Sequence, residues 1–264
     1  MPKEFTHYLV TRYNVPFEKW DRDKAGNQVG HDEWMQQRLR LFKKFCVPTI
    51  LHQSNQAFHW LIYLDVQTDP SALKAIHKEL NVVKNAEVKF AANMQDLLGD
   101  LRKVLSTVET DYVITSRLDN DDGLGREYIQ QIQNAFLPGD KTLVNMLHGV
   151  LYDSDKRILT TVRNARLNHY TSLIEKRHPN QECLTVLGFS HTQPPEECTV
   201  INLDADHSWL KIIHGRNLNS RAKGKPVLRN AVLPFYNITR EDVPVSMLQT
   251  LAYIIRKSIQ KVFR

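Results

Sequence analysis

The chain has 264 residues, 42% of them hydrophobic and 24% charged. These proportions exclude a disordered or fibrous protein and supply a core for one large α/β domain or two small ones. A formal net charge of +6 suits a nucleic acid, an anionic membrane surface or a polyanionic small substrate, and equally well solubility alone. Cys46, Cys183 and Cys198 lie far apart with no CxxC pair, which argues against a disulfide framework or a structural zinc site. With neither a signal peptide nor an apolar run of roughly 18–20 residues, a cytoplasmic protein is expected.

In chain order, "HYLVTRYNV" (7–15) reads as a strand entering a polar loop, "EKWDRDKAGNQVG". From about His31 a helix carries Trp34, Met35, Leu39, Phe42, Phe45 and Cys46 on one face, and Pro48 kinks or ends it. "FHWLIYLD" (58–65) is a strand. A helix over 69–80 has Asp69 as N-cap and Pro70 in its first turn. "AEVKFA" (86–91) is a strand, 93–107 an amphipathic helix capped by Asn93, "DYVITSRLD" (111–119) a strand and 125–137 a helix. This alternation predicts parallel strands with helices on their faces, and such sheets bind ligands at the strands' carboxyl ends. There Arg12, Asn14, Asp65, Asp69, Arg117 and the aspartates of 119–122 would converge. Beyond residue 140 the pattern turns to hairpin material over 141–163, a strand in "ECLTVLGFSHTQ" (182–193) and mixed structure over 200–215. A helical tail carries Met247, Leu248, Leu251, Ile254, Ile255, Ile259 and Val262 on one face and Arg256, Lys257, Lys261 and Arg264 on the other. One domain is expected, with a first half over 1–137, a second half over 138–240 and the tail helix over 241–264.

The sharpest feature is "TSRLDNDDGLG" (115–125), with Asp119, Asp121 and Asp122 directly after an apolar strand. Crowded carboxylates need solvent, a cation or a basic partner. On an extended segment Asp119 and Asp121 would face the same side, which suits a hard divalent ion, Mn²⁺ or Mg²⁺. A helix–loop–helix calcium site does not match, since its twelfth position would be Gln130. The bland reading is a solvated loop whose Asp122 caps the next helix.

"FHWLIYLDVQTDP" and "YVITSRLDNDDGLGREYIQQIQ" resemble the nucleotide-sugar-binding half of GT-A-fold glycosyltransferases. More narrowly, "HYLVTRYNV", "WMQQRLRLFKKFCVPTILHQSNQAFHWLIYLD", "ITSRLDNDDGL" and "WLKIIHGRN" are similar to a bacterial rhamnosyltransferase family, over residues 7 to about 219. The resemblance implies an α/β, GT-A-like fold with a mixed sheet. It also implies a metal-dependent transfer of a sugar, rhamnose in that family, from a nucleotide-sugar donor to a cell-surface polysaccharide or lipid-linked glycan. Asp119 and Asp121 would hold the metal, with His214 completing the site and His207 and His191 as its competitors. Asp122 would orient the loop or the donor sugar. Asp65 would bond the nucleobase, and Arg12 and Arg117 would pair with ribose or phosphate, a role suited to the arginine fork.

An inverting enzyme also needs a base for the acceptor hydroxyl, with Glu175, Asp204, Asp206 and Glu196 as candidates. Trp20, Trp34 and Trp60 read as packing, whereas Trp209 is a candidate sugar platform. The tail helix either packs on the core or touches the inner face of a membrane. A sugar-phosphate nucleotidyltransferase and a non-catalytic glycan- or nucleotide-binding protein are the alternatives. No nucleic-acid-binding motif is present.

Overall fold

The computed structural model describes residues 4–17, 32–215 and 223–262. Trp20, the loop around it, His31 at the expected start of the first helix and residues 216–219 of the last family-like segment lie outside the described residues.

Strand β1 (Phe5–Arg12) is followed by helix α1 (Asp32–Leu41), a π-helical turn (Phe42–Cys46) and α2 (Val47–Leu51). The expected kink is therefore a π-type bulge in a continuous helix: the Val47 amide donates to the Phe42 carbonyl, and Pro48, which has no N–H to offer the ladder, follows directly. Strand β2 (His59–Asp65), helix α3 (Pro70–Leu80), strand β3 (Ala86–Ala91), helix α4 (Met94–Ser106) and strand β4 (Tyr112–Arg117) follow. Asp69 accepts from the amides of Ser71 and Ala72, and Asn93 from that of Asp96, so both caps form as the sequence predicts.

Next come β5 (Gly123–Leu124), α5 (Tyr128–Asn134), β6 (Thr142–Met146), β7 (Gly149–Asp153), β8 (Ile158–Val162) and β9 (Thr171–Lys176). The chain continues through β10 (Thr199–Leu203), β11 (Trp209–Ile213), β12 (Lys225–Pro226), α6 (Arg229–Val232), a 3₁₀ turn (Leu233–Tyr236) and α7 (Met247–Val262).

A seven-stranded sheet runs in the order β10-β6-β9-β4-β1-β2-β3, with β9 antiparallel to its neighbours β4 and β6 and every other pairing parallel. Both halves of the sequence build it. Leu9, Trp60, Ile62 and Leu64 face one core with α1, α2, α3 and α5, while Tyr8, Val10, Leu61 and Tyr63 face another beneath Leu97, Leu101 and Leu105 of α4. Burial on both faces explains why β1, β2 and β4 read as continuous apolar runs. A second sheet, β12-β8-β7-β11-β5, packs on the first, with β7 and β8 forming the expected hairpin. The result is an α/β architecture built on a mixed seven-stranded sheet.

Two expectations fail. The strand expected over 182–193 is irregular, and the strand the pattern hid is β9. The amides of Leu184 and Thr185 donate to the Glu175 carboxylate, and that of Val186 to the Thr115 hydroxyl. Side chains thus satisfy backbone groups that a neighbouring strand would otherwise pair. The tail helix also does not bury its apolar face. Met247, Leu248 and Leu251 are 79, 82 and 55% exposed, against the packing expected of an amphipathic terminal helix. Among the described residues no helix is long and apolar enough to cross a membrane.

Candidate functional site

Parallel register brings the ends of β1, β2 and β4 to one edge. Arg12 lies opposite Tyr63, Arg117 opposite Val10, and Asp65 opposite Ala91. Beyond β4 the chain turns at once, the Asp122 amide donating to the Asp119 carbonyl, so the three aspartates sit in a turn rather than on an extended segment. The turn is pinned from two sides. Gly123 and Leu124 pair with Leu210 and Trp209 of β11. On the other side the Leu124 amide donates to the Thr49 hydroxyl of α2. A Cβ on Gly123 would lie 2.9 Å from Thr49 Cγ2, so glycine lets the turn sit against the helix.

This pinning sends the three carboxylates to different partners. Arg117 donates through Nε and Nη2 to Asp119 Oδ1, at 3.2 and 3.0 Å. Burial works to raise the Asp119 carboxyl, but Arg117, then His169, Lys211 and Arg12, override it and hold the group well below the usual carboxylate range. Asp121 is buried and forms an ion pair with Arg38, while His214 Nε2 lies 2.9 Å from its Oδ2. Burial again opposes ionisation, and Arg38 followed by His214 wins, keeping the carboxyl below its ordinary value. Asp122 accepts from the Ile212 amide at 2.8 Å and the Tyr170 hydroxyl at 2.7 Å. Burial, with Asp121 adding to it, pushes its carboxyl up to about 7. It does not cap α5, which begins at Tyr128.

Around these carboxylates stand four cations. Arg12, whose Nη1 donates to the Val15 carbonyl, is held down by burial and lies within electrostatic reach of Asp119, Arg117 and Arg38. Lys211 on β11 acts on Asp119, Asp122, His169 and His191. His169 and His191 pack ring to ring, 4.0 Å between centroids, and burial lowers them to about 3 and about 4. His169 Nδ1 is buried with no hydrogen-bond partner. Asp65 is half-buried, and its Oδ1 accepts from the Gln67 amide.

Of the expected residues, Arg12, Arg117, Asp119, Asp121, Asp122 and His214 are therefore gathered at one edge. His207 is not among them: it stacks on Phe235, 4.3 Å between ring centroids. Trp209 is 2% exposed, its indole N–H donating to the Met146 carbonyl and its ring stacked on Tyr170, which removes it as a sugar platform. Glu175 lies opposite Val113, near the amino end of β4 and away from the site, with both oxygens taken by backbone amides. Glu196 precedes the amino end of β10 and is likewise on the wrong side. Asp204 directly follows β10 at the same edge as the aspartates. Its side chain is 85% exposed, and Oδ1 lies 2.5 Å from Nε2 of buried His148. Asp206 pairs with Arg163 at the surface.

The residue types Asp119, Asp121 and His214 suit a divalent ion, but their arrangement does not. Asp121 Oδ2 already holds Arg38 and His214, and a His214 Nε2 that donates to a carboxylate has no lone pair there for a metal. Among the described residues, no group of three His, Cys, Asp or Glu is assembled to hold a metal ion.

Arg38, His169, Lys211 and Tyr170 were not singled out from the sequence. Arg38 left one signal: it stands between Trp34 and Phe42 at four-residue spacing, on the apolar face of α1, where a charge needs a partner. The other three left none.

Solved structures similar to the chain include TarS of S. aureus at 10% identity, covering 79% of this chain and 37% of that one, with TM-score 0.42. TarS 1–349 in complex with UDP matches at 12% identity over 80% of this chain and 61% of that one, TM-score 0.42. HddC from Yersinia pseudotuberculosis matches at 11% identity over 77% of this chain and 91% of that one, TM-score 0.38. The chain thus spans about a third to three fifths of the TarS chains. No curated protein matches it. Residues 12–226, most of the chain, match the model of the family described as "Putative rhamnosyl transferase", and the chain belongs to that glycosyltransferase family.

Proposed function

We propose that the chain moves a sugar, rhamnose by its family, from a nucleotide-sugar donor held at this edge to a hydroxyl of a cell-surface polysaccharide or lipid-linked glycan. One observation carries the reading: Arg12, Arg38, Arg117 and Lys211 surround three carboxylates at the carboxyl ends of β1, β4 and β11, inside a member of a sugar-transferring family. Four cations against three anions favour an anionic ligand, and the carboxylates add acceptors for sugar hydroxyls. Arg12 and Arg117 bind the diphosphate, Asp65 at the end of β2 bonds the nucleoside, and the partly exposed Asp119 bonds the sugar.

Asp204 serves as the base. It takes the proton of the acceptor hydroxyl as that oxygen bonds to the anomeric carbon. The bond from that carbon to the phosphate oxygen breaks, and the nucleoside diphosphate leaves with the electron pair. His148 holds the carboxylate in place. A single displacement of this kind inverts the anomeric centre. Thermal shift with UDP, GDP and dTDP tests the donor site: one nucleotide should raise the melting temperature in the parent and fail to do so in Arg117→Ala. No shift with any of them overturns the reading.

The exposed row Met247, Leu248, Leu251, Ile254, Ile255 and Ile259 on α7, with exposed Arg256 and Lys257 on the same helix, supports docking to an anionic lipid surface. Such docking would bring the chain to the surface that carries a lipid-linked acceptor. Cosedimentation with vesicles containing anionic lipid, and not with neutral ones, is the expected result. A concentration-dependent dimer with no vesicle binding overturns it.

A further inference from the structure

We propose that Arg38 occupies the place at Asp121 that a divalent cation would take, and that the donor's diphosphate is neutralised by arginine rather than by a carboxylate-held metal. The inference rests on reading this edge as the donor site.

Three observations lead to it. First, Arg38 is fixed rather than free to swing. Its guanidinium carbon lies 4.9 Å from the centre of the Trp34 ring, and Nη1 donates to Asn120 Oδ1 at 3.1 Å as well as pairing with Asp121. Asn120 is itself anchored, its side-chain nitrogen donating to the Tyr13 carbonyl. Second, the pair is buried, with 15 and 5% of the two side chains exposed, so water screens it little and a metal would have to displace a desolvated cation. Third, the histidine that would complete a metal site donates to the same carboxylate oxygen. A divalent ion entering at Asp121 would meet the fixed guanidinium of Arg38, whereas a diphosphate would meet it as a partner.

In the transfer, negative charge grows on the leaving phosphate oxygen as its bond to the sugar breaks. A guanidinium already in position stabilises that charge without reorganising. Asp121 and His214 then act as positioning residues that hold Arg38 at the diphosphate. This differs from the sequence expectation, in which Asp121 and His214 are metal ligands.

Calorimetric titration of UDP, GDP and dTDP into the full chain, in EDTA and then in Mn²⁺, decides it. The parent should bind one nucleotide with affinities that agree within about threefold in the two buffers. Arg38→Lys keeps the charge but loses the fork, and should weaken binding about tenfold in EDTA. Arg38→Ala should lose binding in EDTA and regain part of it with Mn²⁺, because the vacated carboxylate becomes a ligand. Free Mn²⁺, followed by its paramagnetic resonance signal, should be taken up by Arg38→Ala and not by the parent. If the parent loses more than about tenfold in EDTA, the arginine role falls while the donor site stands. If no nucleotide binds the parent in either buffer, the donor site falls and this inference with it. The parent measurements decide the question even if Arg38→Ala does not fold.

Discussion

Tyr170 donates its hydroxyl to Asp122 at 2.7 Å while its ring lies parallel to that of Trp209, centroids 4.9 Å apart and planes 2° from each other. One tyrosine thereby ties the acidic turn to β11, whose Ile212 amide holds the other oxygen of the same carboxylate. Removing the hydroxyl leaves a buried acceptor half satisfied, which costs about 1–3 kcal/mol. Tyr170→Phe should lower stability by that amount in urea denaturation, with nucleotide affinity reduced beyond what unfolding explains. Unchanged stability would mean that Asp122 is held by Ile212 alone.

Gly149 faces the indole of Trp209 so closely that a Cβ would stand 2.0 Å from a ring carbon. Alanine there must push the indole off Tyr170. Gly149→Ala should cost about 2–4 kcal/mol, at the upper end for overpacking, because three buried groups move together. A loss under about 0.5 kcal/mol would show that the indole has room to shift.

His7 is buried in a polar seam. Gln133 donates to its Nδ1 at 3.3 Å, and its Nε2 lies 2.7 Å from the Ser116 hydroxyl. Burial lowers its pKa from the ordinary histidine value of about 6.5 to about 3. Below 6.5 the unfolded chain binds a proton that the folded chain refuses. The contribution of His7 is therefore complete above pH 6.5 and lost as pH falls towards 3, at up to about 1.4 kcal/mol per pH unit. Urea midpoints at pH 7, 6 and 5 should fall less steeply in His7→Gln than in the parent. Equal slopes would place the titration elsewhere.

Asp204→Asn should lower transfer by about 10²–10⁴-fold while nucleotide affinity stays within twofold, since the base touches the acceptor and not the diphosphate. A parallel loss of nucleotide binding would instead make Asp204 part of the donor site. Full turnover would remove it as the base.

Much of the fold was legible because the decisive signals are local. The caps at Asp69 and Asn93 act on amides two or three residues away, and the i, i+4 series Leu97, Leu101 and Leu105 marks one face of α4 without reference to the rest of the chain. The aspartates at the end of β4 were conspicuous for a local reason too, since crowded charge beside an apolar strand is unusual. β9 escaped notice because its neighbour "ECLTVLGFSHTQ" has the stronger strand composition, and the hydrogen bonds that Glu175 of β9 and Thr115 of β4 accept from that segment's amides cannot be read from its own residues.

By itself, then, the sequence determined the alternation of strands and helices, the edge on which Arg12, Arg117 and the aspartates collect, and the family. Tertiary structure alone decided what each aspartate touches. His214 meets Asp121 across 93 residues of sequence and Tyr170 meets Asp122 across 48. The physical reason is that residue spacing sets a side chain's direction, whereas an ion pair depends on which elements pack together. At this edge, the packing of α1 and α2 against the turn gives Asp121 an arginine as its cation.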